Sequence, residues 1–265
     1  MTDEAIGAWL TALIERHARG MTRPEFLKAI RALSARYVER RGGLERRSAI
    51  DTAGKRAAFA AFYAALHFLT VRAIARQLAA GSAQMDTITD LGCGTGVASA
   101  AWAIGCTRRP VLCGLDVNEW ALAEALWNWR ALGLHGRTRR ADLVTGLDSL
   151  GRESVRAPER DTDDQSRAGM IAAWSLNELD PRKRTIACAR LIELARRGSP
   201  IVIVEPIAAR LVPWWAAWAR QARDAGGRAD EWKLETPLPA LLAELDEAAG
   251  FRREGLSARS VSFNL

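Results

Sequence analysis

The stretch Asp90-Leu91-Gly92-Cys93-Gly94-Thr95-Gly96 holds the residues best spaced to do chemistry in this chain. Its alternating glycines let the backbone turn sharply and approach a ligand, because a Cβ there would collide with it or forbid positive φ. The preceding Thr87-Ile88-Thr89 is β-branched, and residues 97–104 are small and apolar, so the order reads strand, loop, helix. A second apolar run, 111–115, ends in Asp116 about twenty residues past the loop, where a nucleotide-type site holds a carboxylate for both ribose hydroxyls. Asp116 also suits the role of cap for a helix over 118–131.

Two ligand classes use such a loop. A dinucleotide site prefers G-x-G-x-x-G with its pyrophosphate on the helix N-terminus, whereas this chain has G-x-G-x-G with an acid two residues ahead of Gly92. That acid opposes a pyrophosphate and suits a cationic sulfonium and amino group. The run 90–96 resembles the first motif of class I S-adenosyl-L-methionine (SAM) dependent methyltransferases, and the resemblance covers roughly residues 84–265. It implies an α/β fold: a Rossmann-like, seven-stranded, mostly parallel sheet with helices on both faces, completed by a final antiparallel pair. SAM is then the cofactor. Asp90, Gly92, Cys93, Gly94, Thr95 and Gly96 would surround its methionine part, Asp116 and Val117 its ribose, and Asp142, at the end of a third strand over 137–143, with Leu143 its adenine. Asp142 as a simple turn residue is the alternative.

The reaction zone of such a sheet lies outside the carboxyl ends of its strands. A strand over 169–174 leads into Ser175-Leu176-Asn177-Glu178-Leu179-Asp180-Pro181, which makes Asn177 and Glu178 the polar candidates near the transferred methyl, with Trp174 walling the cavity. Either polar residue could instead cap a helix starting near Pro181. Residues 201–204 read as a strand buried on both faces, ending in Glu205 at the same edge. Glu178 or Glu205 is the best-placed base if the acceptor needs deprotonation. Beyond lie Arg210, Pro213, Trp214, Trp215 and Trp218, which either stack on a flat substrate or cover the sheet. The chain lacks the N/D-P-P-Y/F and Pro-Cys elements of several nucleobase methyltransferases, and its histidines, His17, His67 and His135, are dispersed, so no metal site is expected.

These groups need a scaffold, and 265 residues, 49% hydrophobic, suffice for one α/β domain plus an appendage. The division expected is 1–82, an all-helical lid or substrate region, and 83–265, the SAM-binding domain. In the first part Ile6, Trp9, Leu10, Leu13 and Ile14 recur at helical spacing. Thr22 then caps a helix with Phe26, Leu27, Ile30, Leu33 and Tyr37 as its apolar stripe. A third helix, 56–80, is apolar enough to require burial against the sheet domain. Residues 153–167 read as a loop, 238–249 as a last helix, and 251–265 as a short hairpin ending in a strand near 260–264.

The net charge of +7 and the basic residues Arg36, Arg40, Arg41, Arg46, Arg47, Lys55 and Arg56 suggest either a phosphate clamp or a solvated turn. The segments Leu33-Ser34-Ala35-Arg36-Tyr37, Ser175-Leu176-Asn177-Glu178-Leu179 and Val204-Glu205-Pro206 resemble the methyltransferase-like proteins of the mitochondrial small ribosomal subunit and their bacterial relatives. Those proteins often carry an iron-sulfur cysteine cluster after the Glu-Pro strand end, and here no cysteine follows Cys188. The acceptor expected is therefore RNA or a ribosomal particle, with a small-molecule O- or N-methyltransferase or a non-catalytic SAM-binding assembly factor as alternatives. Cys93, Cys106, Cys113 and Cys188 read as small hydrophobes in a reducing compartment, with no disulfide. The acidic start Met1-Thr2-Asp3-Glu4 resembles no signal peptide, so a cytoplasmic protein with no membrane span is expected.

Overall fold

The computed structural model describes residues 2–39, 52–80, 85–156 and 167–265. The chain divides into two compact units, Met1–Leu69 with Leu234–Leu256, and Thr70–Lys233 with Ser257–Leu265. The tail segment around the last helix, assigned to the sheet domain from sequence, thus belongs with the N-terminal helices.

The helical unit begins with α1 (Asp3–Ala18), whose Thr2 hydroxyl accepts from Ala5 N and whose Ile6, Trp9, Leu10 and Leu13 are buried. In α2 (Arg23–Glu39) the same periodicity buries Phe26, Ile30 and Leu33, while Thr22 N and its hydroxyl donate to Glu25 in the first turn. A long apolar helix follows as α3 (Ala53–Ala58), a π-helical stretch Phe59–Tyr63, and α4 (Ala64–Gln77). Over Ala53–Gln77 it is long and apolar enough to cross a membrane, yet 72% of its most apolar window is buried within the protein. Residues 40–51, which carry most of the expected basic run, lie outside the described residues.

The sheet unit holds β1 (Thr87–Leu91), α5 (Val97–Gly105), β2 (Val111–Asp116), α6 (Glu119–Ala131), β3 (Gly136–Arg140), α7 (Leu143–Arg156) and β4 (Ala168–Ala173). It continues with α8 (Pro181–Arg196), β5 (Ile201–Glu205), α9 (Trp215–Asp224), β6 (Arg228–Leu234) and β7 (Leu256–Phe263), with α10 (Ala240–Ala248) between the last two strands. Seven strands form one sheet in the order β3-β2-β1-β4-β5-β7-β6. The first five are parallel neighbours, and β7 runs antiparallel to β5, with Glu205 opposite Arg259. Strand order reverses between β1 and β4, which places a crevice at their carboxyl ends. Side chains of Leu91, Met170, Ala172, Ile201 and Ile203 pack with α7, α8 and α9 in one core cluster. The opposite face holds Asp90 against α5 and Gly114 against Trp129 of α6.

The tail differs from expectation. The partner of the last strand is β6, which precedes α10, so 251–265 contains one strand and no hairpin. β6 is a half-exposed edge strand with charges on both faces, a pattern that hides it from any search for alternating apolar residues. The expected 153–167 loop begins later, because α7 continues to Arg156; residues 157–166 lie outside the described residues.

Candidate active site

The glycine loop is pinned from two sides. Gly92 N and Cys93 N both donate to Leu115 O, at 2.8 and 2.9 Å, which ties the end of β1 to the end of β2. From α6, Asn128 Nδ2 donates to Thr95 O at 3.0 Å and Trp129 Nε1 to Gly96 O at 2.7 Å. All three glycines have positive φ, of 71°, 50° and 73° in turn. Their surroundings differ. A Cβ on Gly92 would lie 2.7 Å from Ser175 Cβ, and one on Gly96 would lie 2.6 Å from Trp129 Nε1, whereas one on Gly94 would meet nothing within 4 Å. Gly92 and Gly96 are therefore small because the fold crowds them. Gly94 borders open space.

The acids at the strand ends hold this loop. Asp90 is 1% exposed and its Oδ2 accepts from Ser99 N in the first turn of α5, at 3.1 Å. Burial pushes its carboxyl up to about 6, against the Ser99 hydrogen bonds and with a smaller contribution from Asp116. At neutral pH it stays mostly ionised, and a nearby cation would strengthen that. Asp116 accepts from Gly94 N and from Asn118 N, each at 2.8 Å, through different oxygens. The cap of α6 is Asn118, whose Oδ1 accepts from Trp120 N and Ala121 N, so Asp116 serves the loop and not the helix end. Each Asp116 oxygen keeps acceptor capacity for a hydroxyl. Val117 beside it is 50% exposed, an apolar surface at the same edge.

Asp142 is not the end of β3, which stops at Arg140, but precedes α7, where its Oδ1 accepts from Val144 N at 3.0 Å. Its Oδ2 meets Lys183 Nζ at 2.9 Å. Burial opposes its ionisation, but Lys183 and the backbone N–H groups of Val144 and Thr145 outweigh burial and hold the carboxyl below its ordinary range. Leu143 is buried and its Cδ1 would lie 3.7 Å from a Cβ on Gly92, so this turn reaches the loop. Cys93 is buried beneath the loop against Gly114, and burial raises its thiol well above the ordinary value, so it offers backbone rather than a nucleophile.

At the end of β4, Trp174 has a φ of 52°, which is uncommon for a bulky side chain. The 3₁₀ turn Leu176–Glu178 follows, with Asn177 half-buried and Glu178 exposed. Glu205, fully buried, accepts from Leu176 N at 2.9 Å and from Asn177 N at 3.1 Å. The helix-cap alternative for Asn177 and Glu178 falls to Asp180, whose Oδ1 accepts from Lys183 N. Thus Glu205 braces the segment that carries Trp174, Asn177 and Glu178.

Sequence reasoning overlooked Ser175. Its hydroxyl and that of Thr95 are buried without a hydrogen-bond partner among the described residues, one against Gly92 and the other within the loop. Buried hydroxyls in native folds are satisfied. The open space beside Gly94 and these two hydroxyls together form a cradle with hydrogen-bonding capacity to spare. Trp129 and Asn128, the clamps on the loop, were likewise not singled out as site residues, since a helix that is apolar on several faces gives no hint of which residue turns to the loop.

No family model and no curated protein matches the chain. Solved structures do match its fold. An O-methyltransferase family protein from Burkholderia thailandensis aligns over 82% of this chain at 15% identity with a TM-score of 0.51, and the alignment spans 61% of that protein's own length. The plantazolicin methyltransferase BamL, solved with a triazolic desmethylPZN analog and SAH, aligns over 99% of this chain and 97% of its own at 10% identity and a TM-score of 0.42. With the strand order and the carboxyl-edge loop described above, the chain has the Rossmann-like fold of the class I methyltransferases.

Proposed function

We propose that this chain transfers a methyl group from SAM to an acceptor held over the ends of β4 and β5. The observation that carries the reading is the loop itself: Gly94 faces open space at positive φ, Asp116 holds its N–H, and unpartnered Thr95 and Ser175 hydroxyls lie nearby. The methyltransferase neighbours, one of them solved with SAH, support it.

In this reading Gly92, Cys93, Gly94, Thr95 and Gly96 surround the methionine portion of the cofactor, and Asp90 places negative charge beneath it. Asp116 accepts the ribose hydroxyls, Val117 and Leu143 sandwich the adenine, and Asp142 accepts from its amino group with what capacity Lys183 leaves. When bound, SAM supplies a methyl carbon made electrophilic by its sulfonium. The chain's part is alignment and exclusion of water, because charge disperses as the methyl passes in line from sulfur to the acceptor atom. Trp174 walls the acceptor space, and Asn177 and Glu178 orient the acceptor. An acceptor that must lose a proton has Glu178, exposed at this edge, to take it. Glu205 is a positioning residue here, since its carboxylate grips the backbone of Leu176 and Asn177.

The acceptor we favour is a small planar molecule, because past β5 the half-buried indole of Trp214 offers a ring face, while Trp215 and Trp218 lie in the core behind it and cover the sheet. A second reading, RNA or a ribosomal particle, draws on the net charge of +7. The free thiols support a cytoplasmic site of action. Incubating the protein with SAM carrying a labelled methyl, and either a panel of aromatic acids and phenols or total RNA, tests both. Label in the small-molecule fraction supports the first reading, and label in RNA supports the second.

A further inference from the structure

The tryptophan cluster behind the reaction zone carries a chemical signature of its own. Trp214, Trp215 and Trp218 form a triangle of rings with centroids 5.7, 6.0 and 5.6 Å apart. Two guanidinium groups lie on it: Arg184 Cζ sits 5.0 Å from the Trp214 ring and Arg259 Cζ 5.9 Å from the Trp215 ring. Trp218 is 4% exposed and Arg259 8% exposed, while Trp214 and Arg184 are half-buried.

The donors in this cluster outnumber the acceptors. Trp214 Nε1, Trp218 Nε1 and Arg259 Nε are all buried without a hydrogen-bond partner among the described residues. Arg259 Nη2 is spent on Ile207 O and on the exposed Glu231, 3.1 Å away, and neither contact satisfies Nε. An indole N–H and a guanidinium can only donate, so the missing partner is an acceptor; Glu231 and Glu205 offset the charge of Arg259, and the guanidinium of Arg184 on Trp214 is what favours a negative one. Satisfaction of the indoles by neighbouring rings, as N–H···π contacts, would leave the Arg259 Nε unexplained.

The cluster borders the catalytic edge. Arg259 faces Glu205 across the β5–β7 ladder, and Arg184 Nη1 donates to Leu179 O, one residue past the turn that holds Asn177 and Glu178. We propose that Arg184, Trp214, Trp218 and Arg259 form an anion-recognition subsite that selects a planar acceptor bearing a carboxylate. This rests on the methyl-transfer reading, which it deepens by naming the acceptor's charged handle. The half-buried face of Trp214 holds the ring, with Trp215 and Trp218 packed in the core behind it, and the unpartnered donors take the carboxylate.

Benzoate and its neutral analogue benzamide test the subsite without SAM. In ¹H–¹⁵N spectra of the full chain, the indole N–H signals of Trp214 and Trp218, assigned through Trp214→Phe and Trp218→Phe, move and saturate with benzoate and stay still with benzamide. Arg259→Gln weakens benzoate binding by about tenfold or more, the scale of one charge-assisted hydrogen bond. Trp218→Phe, which keeps a ring and deletes a donor, weakens it too, and it serves as the test if the arginine variant fails to fold. Indole signals that ignore benzoate, or that respond equally to benzamide, overturn the proposal, as does a single-stranded oligonucleotide that moves them where benzoate does not. Calorimetry with SAM, run separately, keeps the two claims apart. A benzoate response without SAM binding upholds the subsite and removes the methyltransferase reading, whereas SAM binding without a benzoate response removes the subsite alone.

Discussion

The three glycines of the loop make a discriminating experiment, because the structure gives each a different reason to lack a side chain. In Gly96→Ala the new Cβ would stand 2.6 Å from Trp129 Nε1 and 2.8 Å from Ala125 Cβ, at a φ of 73°. Left-handed backbone costs a non-glycine residue about 1–2 kcal/mol, and overpacking a tight site about 1–3 kcal/mol more. Displacing the indole also weakens its 2.7 Å bond to Gly96 O, worth about 1 kcal/mol. The expected loss is about 3–6 kcal/mol, which at roughly 2–4 °C per kcal/mol lowers the unfolding midpoint by roughly 6–24 °C. Gly94→Ala carries only the backbone strain, about 1–2 kcal/mol, since its Cβ enters open space. Its effect belongs instead in ligand affinity. Thermal unfolding followed by tryptophan circular dichroism, with SAM calorimetry on the same samples, separates the two. Equal destabilisation by both substitutions, or a Gly94→Ala variant that binds SAM like the wild type, would refute the assignment of roles.

Other substitutions follow from the same geometry. Asp90, with its carboxyl pushed up to about 6 by burial, favours the protonated form in the fold, so its contribution to stability is full below about 4 and lost as pH rises through 6. Asp90→Asn should flatten the stability of the ligand-free protein between pH 4 and about 7 and raise it at pH 7 by up to about 3 kcal/mol, as read from denaturant unfolding. Glu205→Gln retains an acceptor for Leu176 N and Asn177 N, so methyl transfer should fall less than about tenfold, whereas Glu205→Ala strands two buried donors and should cost about 2–4 kcal/mol of stability. Retained stability with abolished turnover in Glu205→Gln would make it a base after all. Asp116→Ala should weaken SAM by about 1.5–3 kcal/mol in calorimetry and also loosen the loop, because Gly94 N and Asn118 N lose their acceptor.

What could be read from the sequence was whatever sits within one local pattern. The glycine loop between a β-branched run and a small apolar helix, and the five-residue strand β5, buried throughout, needed no knowledge of distant partners. The helical stripes of α1 and α2 were legible for the same reason. Roles that depend on residues far apart in the chain were not. Glu205 looks like a strand-end acid until the backbone of Leu176 and Asn177, nearly thirty positions away, is seen to end on it. Asn128 and Trp129 reach back 33 residues to the loop, and Lys183 reaches 41 to Asp142. The edge strand β6 escaped because its Arg, Asp, Glu and Lys obey no apolar alternation. Ser175 gives no local signal, since a buried hydroxyl without a partner is a property of the fold and not of the residue type.

The claim on which the account turns is that the loop around Gly94 receives SAM. Isothermal calorimetry of SAM with the wild-type chain and with Gly94→Val, each shown to be folded by circular dichroism, measures it directly. The account predicts saturable one-site binding to the wild type and a loss of about a hundredfold or more in the variant, since a branched side chain would occupy the open space that the glycine leaves. Equal affinity in the two folded proteins, or no binding by the wild type, would contradict it.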